Sequence, residues 1–251
     1  MTDTPLPGSI DVTVWTLRCA NAAEEDVARW RQLLDEGEKA RADRYLRPEN
    51  RVESIAGHAL VRHALAERSG LPPDAFGFAA DPLGKPHARV DGEPCALAVN
   101  LSHTTGMVAV AVGNAETVGV DVEPSGRPVT LEIADRYFCP REVAWLHGLP
   151  ASDRREAFLR LWTGKEAFLK ATGKGLTQDL QSFRVMTRPL RLAFNDPALG
   201  DPRDWPMRQR LLADGFLVAL CVRASPGTAL GVRWRSLGAG ALGPQKLLSK
   251  R

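Results

Sequence analysis

Apolar residues follow two periods along this chain. A period of two marks strands. At residues 10–17, Val12 and Val14 alternate with Asp11 and Thr13, and at 117–123, Val118, Val120 and Val122 alternate with Gly119, Asp121 and Glu123. Short apolar runs at 96–101, 107–112, 182–186, 190–194, 216–222 and 230–235 are further strand candidates. A helical period places Val27, Trp30, Leu33 and Leu34 on one side of a helix over 24–46 that ends near Pro48. The same period places Ile55, Ala59, Leu60 and Leu65 on one side of a second helix over 52–68, closed by Gly70 and Pro72. Short helices at 130–138 and 140–149, the latter with Pro140 in its first turn, precede a long one over 153–171. Residues 72–94 are dense in Pro, Gly and Asp and read as mostly loop; 238–251, Gly-rich and then basic, read as a flexible tail.

The pattern occurs twice. Gly70-Leu71-Pro72-Pro73-Asp74, after the helix carrying Arg62, is echoed by Gly175-Leu176-Thr177-Gln178-Asp179, after the helix carrying Lys170. The apolar strand after Gly106 is echoed by the one after Gly215. This predicts an α+β protein built as a pseudodimer of two similar α/β halves, residues 1–113 and 114–237, with a ligand cleft between them.

Candidate chemistry gathers at the end of the long helix and on the 117–123 strand. Glu166 and Lys170 are four apart and share a helix face; as a surface ion pair they would contribute a few tenths of a kcal/mol. Against that reading, Lys165, Lys170 and Lys174 crowd cations around a single carboxylate. Asp121 and Glu123 share the strand face opposite the valines, where like charges repel unless a cation or water screens them. The competing reading is an outward, solvent-facing strand surface. His103 falls in a polar turn at 102–106, and Gly84-Lys85-Pro86 is a turn that displays a lysine. Arg41, Arg44, Arg47 and Arg51 recur at intervals of three or four. Each alone reads as solvated; together they suit phosphate, whose oxygens match the guanidinium fork.

If Asp121, Glu123 and Glu166 converge, three carboxylates ask for a hard divalent cation, Mg²⁺ above all. The cations nearby, Lys85, His103, Lys165 and Lys170, suit a polyanionic substrate instead. Together they imply phosphate chemistry on a metal-bound diphosphate. No G-x-x-x-x-G-K-[ST] pattern occurs, which argues against a Walker-type NTPase.

Composition adds little. The 251 residues, 44% hydrophobic and 25% charged, can bury a substantial core, and a formal charge of +3 does not call for nucleic acid. Cys19, Cys95, Cys139 and Cys221 form no metal or disulfide pattern. Neither a secretory signal nor a membrane-length apolar run is seen, so the cytoplasm is the expected address and no membrane partner is expected.

The motifs Gly84-Lys85-Pro86, Asn100-Leu101-Ser102-His103, Gly119-Val120-Asp121-Val122-Glu123-Pro124 and Trp162-Thr163-Gly164-Lys165-Glu166-Ala167-Phe168-Leu169-Lys170 stand in one order over residues 40–185. In this the sequence resembles the 4′-phosphopantetheinyl transferase superfamily, in particular its surfactin-synthetase-activating (Sfp-like) type. The resemblance implies transfer of the phosphopantetheine arm of coenzyme A to a serine of an apo acyl or peptidyl carrier protein, releasing adenosine 3′,5′-bisphosphate. It implies Mg²⁺, with Mn²⁺ as a substitute, on Asp121, Glu123 and Glu166, with coenzyme A as co-substrate. Glu166 would be the base and Lys170 would neutralise the leaving phosphate. Arg41, Arg51, Lys85, Ser102, His103, Lys165 and Lys170 would contact coenzyme A. Glu38 stands where some members have lysine, and Glu142 matches a family glutamate. The pseudodimer would be a monomer. Two readings compete: a Mg²⁺-dependent phosphohydrolase, and a non-catalytic coenzyme A-binding module, which would be expected to lack Glu166 or Lys170.

Overall fold

The computed structural model describes residues 9–243. They form two compact units, one running to Ala115 and resuming at Ala229, the other spanning Glu116–Thr228. The first begins with β1 (Ile10–Arg18), α1 (Glu24–Arg31), α2 (Glu36–Asp43) and α3 (Pro48–Ser69). It continues through β2 (Phe76–Ala80), β3 (Pro86–Val90), β4 (Glu93–Pro94), β5 (Ala98–Thr104) and β6 (Met107–Gly113). The second contains β7 (Val118–Pro124), α4 (Leu131–Tyr137), α5 (Pro140–Gly148) and α6 (Ala151–Thr172), then β8 (Phe183–Thr187), β9 (Leu190–Phe194), β10 (Met207–Leu211) and β11 (Phe216–Val222). The chain then returns to the first unit as β12 (Leu230–Leu237).

The two units repeat one plan. In each, a 22-residue helix (α3, α6) ends on a left-handed glycine, Gly70 at φ 77° or Gly173 at φ 73°, a conformation that costs a residue without Cβ little. A 3₁₀ turn follows in each, then a hairpin (β2–β3, β8–β9), then a strand pair (β5–β6, β10–β11). The last strand of the pair lies antiparallel to the first strand of the unit, β6 against β1 and β11 against β7. Each long helix covers its sheet over a separate core. The first contains Trp15, Trp30, Leu60, Leu65 and Val110; the second contains Phe138, Phe158, Phe168, Phe183 and Leu217.

Several expectations need correction. The helix expected over 24–46 breaks after Arg31, because Asp35 and Glu38 cap a new one reciprocally: the Glu38 amide donates to Asp35 Oδ1 at 2.8 Å, and the Asp35 amide donates to Glu38 Oε2 at 2.9 Å. Residues 72–94 are not mostly loop: β2, β3 and β4 form a small sheet there, anchored by buried Phe76 and Ala88. Residues 207–211, not anticipated as a strand, form β10. The C-terminal half does not extend to 237, since β12 pairs in parallel with β1 from Ile10↔Leu230 to Leu17↔Leu237. Residues 238–243 do not belong to a loose tail either. Leu242 is fully buried, and Trp30 Nε1 donates to the Ala239 carbonyl at 3.1 Å. The rest of the expected tail, 244–251, lies outside the described residues.

Candidate active site

In the second unit α6 packs directly on β7, and the first requirement is clearance. A Cβ on Gly119 would stand 2.1 Å from the Ala167 carbonyl oxygen and 2.3 Å from the Ala171 nitrogen, so glycine is the residue that lets helix and strand approach this closely. Strand alternation puts Asp121 and Glu123 on the same face as Gly119. Their cross-strand partners on β11 are Ala219 and Leu217, both in the core beneath the helix. The acidic pair is therefore turned under α6 and buried, with Asp121 5% and Glu123 9% exposed. The outward, solvent-facing reading of this strand falls.

Burying two carboxylates requires cations. Lys170 Nζ donates to Asp121 Oδ1 at 2.8 Å, and Arg127 donates to Glu123. Glu166, one turn before Lys170 on the half-exposed side of α6, has its carboxyl pushed up by burial and by the charges of Asp121 and Glu123, with Lys170 pulling the other way. Asp121, Glu123, Glu166 and Lys170 thus lie within electrostatic reach of one another. Lys170 meets Asp121 at hydrogen-bond distance across elements, a partner that helix spacing alone does not indicate.

These carboxylates offer hard oxygen donors, which suit Mg²⁺. Among the described residues, however, no group of three or more His, Cys, Asp or Glu is assembled that would hold a metal ion. Asp121 and Glu123 are held instead by the protein cations Lys170 and Arg127.

Lys165 is corrected outright. It is fully buried, and its Nζ donates to Glu142 Oε2, the Leu180 carbonyl and the Phe183 carbonyl, each at 2.8 Å. It also lies over the rings of Phe183 and Phe138, at 4.4 and 5.0 Å from their centroids. Burial pushes the ammonium down and Glu142 opposes it. With its three protons used inside the fold, Lys165 is a structural tie and not a coenzyme A contact. The signal was in the sequence: Leu161, Trp162, Phe168 and Leu169, three and four residues away, put position 165 in the apolar stripe. Glu142 completes the tie, accepting from the Val185 amide at 2.8 Å and the Cys139 amide at 3.2 Å.

The remaining expected residues belong to the first unit. His103 lies on β5, not in a turn; it is exposed, and its Nδ1 is 3.4 Å from Glu53 Oε2. Glu53 also accepts from the Gly106 amide at 3.0 Å, tying the β5–β6 turn to α3. Ser102, on the opposite face of β5, is buried. Lys85 sits in the β2–β3 turn, its amide donating to Asp81 Oδ1 at 2.9 Å. Arg41 and Arg51 are exposed on different helices, α2 and α3, and do not form one stripe. Glu38 faces inward: Arg62 Nε donates to it at 2.8 Å, and His58 Nδ1 lies 3.2 Å away. An acidic residue there does not oppose a phosphate at the surface. The sequence does not mark Arg127, because a spacing of four from Glu123 implies contact within a helix and not across a turn that follows a strand. Among the described residues, no helix is long and apolar enough to cross a membrane.

The model of the 4′-phosphopantetheinyl transferase superfamily matches residues 117–221, and that of the 4′-phosphopantetheinyl transferase N-terminal region matches 21–115. The chain belongs to the 4′-phosphopantetheinyl transferase superfamily. A Synechocystis sp. protein, slr0495, is 34% identical over 187 residues, covering 74% of this transferase and 75% of its own chain. The 4′-phosphopantetheinyl transferase HetI of Nostoc sp. is 35% identical over 162 residues, 63% of this chain and 68% of its own. A Bacillus subtilis 4′-phosphopantetheinyl transferase is 32% identical over 172 residues, 68% and 74% of the two chains. The matched blocks divide between residues 115 and 117, and the similarity extends to the Bacillus subtilis 4′-phosphopantetheinyl transferase Sfp, 28% identical over 163 residues. The second block contains every member of the acidic cluster.

Proposed function

We propose that this transferase moves the 4′-phosphopantetheine arm of coenzyme A to a serine of an apo acyl or peptidyl carrier protein. The observation that carries this reading is the electrostatic cluster in which half-buried Glu166 lies beside Asp121, Glu123 and Lys170, its affinity for a proton raised by burial and by the two neighbouring carboxylates. A base must hold the proton it takes, and a carboxylate with a raised pKa does so nearer neutrality.

The carrier serine oxygen attacks the phosphorus that bears the pantetheine arm, and its proton passes to Glu166. The bond from that phosphorus to the bridging oxygen breaks, and adenosine 3′,5′-bisphosphate leaves with the electron pair. Lys170 neutralises the charge that develops on the leaving phosphate. Asp121, Glu123 and Glu166 would hold Mg²⁺, which would supply Lewis-acid stabilisation of the diphosphate. Lys85, Ser102, His103, Arg41 and Arg51 are proposed to hold coenzyme A phosphates; Lys165 is not. The test is intact mass spectrometry of an apo carrier protein incubated with the transferase, coenzyme A and Mg²⁺. The expected result is a gain of one phosphopantetheine group, with adenosine 3′,5′-bisphosphate released in equal amount. Hydrolysis of coenzyme A with the carrier mass unchanged would overturn it in favour of a phosphohydrolase.

A further inference from the structure

Arg127 lies beyond the end of β7, four residues after Glu123. Its amide donates to the Pro124 carbonyl at 3.0 Å, closing a turn that folds the side chain back onto the strand. There its guanidinium forms an ion pair with Glu123. It also lies 6.0 Å from the ring centroid of Trp162, which stacks on Phe158 at 6.0 Å with an interplanar angle of 11°. The two partners differ in exposure, with the Arg127 side chain at 37% and that of Glu123 at 12%. A partly solvated cation therefore covers an enclosed carboxylate. The indole face offers the guanidinium a second favourable place when Glu123 is otherwise engaged.

We propose that Arg127 is an ionic latch on Glu123: it occupies the carboxylate and yields it to an incoming divalent cation. This rests on reading Asp121, Glu123 and Glu166 as metal donors. Two effects then act with the same sign. Arg127 competes for a donor oxygen, and its positive charge repels a divalent ion at short range. Its loss should therefore tighten metal binding, whereas loss of a residue that merely orients Glu123 should weaken it.

The test is Mn²⁺ binding to the full chain, read from the free-ion electron paramagnetic resonance signal, with and without coenzyme A. The parent, Arg127→Gln and Glu123→Gln are compared, with melting curves to confirm folding. Arg127→Gln is expected to bind Mn²⁺ about fivefold more tightly, which is about 1 kcal/mol at 1.4 kcal/mol per tenfold, and Glu123→Gln more weakly. If Arg127→Gln binds no more tightly than the parent while Glu123→Gln is weakened, the latch is overturned and the metal reading stands. Tighter binding in Arg127→Gln with binding unchanged in Glu123→Gln would also overturn it, because Glu123 would not be the group released. If none of the proteins binds Mn²⁺ in either condition, the metal reading itself fails and the latch with it.

Discussion

Substituting Lys165 by methionine separates a structural role from a ligand role at one position. Methionine nearly preserves the length and volume of the side chain, so the change removes the charge and three protons with little change in packing. In the folded protein those protons satisfy Glu142 Oε2 and the carbonyls of Leu180 and Phe183, all at 2.8 Å, at a position with no exposure to solvent. The variant leaves Glu142, itself 4% exposed, as a buried carboxylate without its cation. Removing one member of a buried pair costs about 3–5 kcal/mol, a large share of the roughly 5–15 kcal/mol typical of a domain. Lys165→Met should therefore lower the urea midpoint sharply. Lys165→Met/Glu142→Gln should recover part of the loss, because the stranded charge is gone while the introduced amide oxygen still accepts from a backbone N–H; the singles and the double form a cycle that isolates the pair. Urea denaturation followed by tryptophan fluorescence gives the midpoints, and calorimetric titration gives coenzyme A affinity below the transition. A parental midpoint combined with a tenfold loss of coenzyme A affinity would refute the tie and restore Lys165 as a phosphate contact.

Three further outcomes are expected. Glu166→Gln should lose at least about 10²-fold in single-turnover transfer, the lower end for loss of a general base, with the melting temperature unchanged or raised because a half-buried carboxylate repelled by Asp121 and Glu123 is removed. Gly119→Ala should fail to fold the second unit, since its methyl would meet Ala167 and Ala171 backbone atoms at 2.1 and 2.3 Å; a soluble variant with a parental melting curve contradicts the close approach. Burial pushes the Glu38 carboxyl up, but hydrogen bonds from His58, Arg62 and the Asp35 amide outweigh it and hold it at about 2 against an ordinary 4.5. A depressed carboxyl stabilises the fold above its unfolded value and ceases to do so as pH falls toward its folded one. About 3 kcal/mol of stability should therefore disappear between pH 4.5 and 2, and acid denaturation of Glu38→Gln should lack that component.

Alternation on Val118, Val120 and Val122 placed Asp121 and Glu123 on a common strand face, and a helical period placed Glu166 and Lys170 on a common helix face. Both hold because they depend only on backbone repeat. The doubled plan was also legible, since each long helix must stop, and Gly70 and Gly173 stop it in the same way. Tertiary structure alone decided what those faces meet. Whether the acidic pair faced water or a helix depended on what lies over its side of β7, and the close approach of α6 at Gly119 settles it. Lys165 and Lys170 are chemically alike and five residues apart, yet one is enclosed by α5 and β8 while the other reaches Asp121. Arg127 finds Glu123 through a turn, and β12 finds β1 across more than two hundred residues of sequence. Local periodicity carries no information about such partners, because they are chosen by the surfaces that folding brings together.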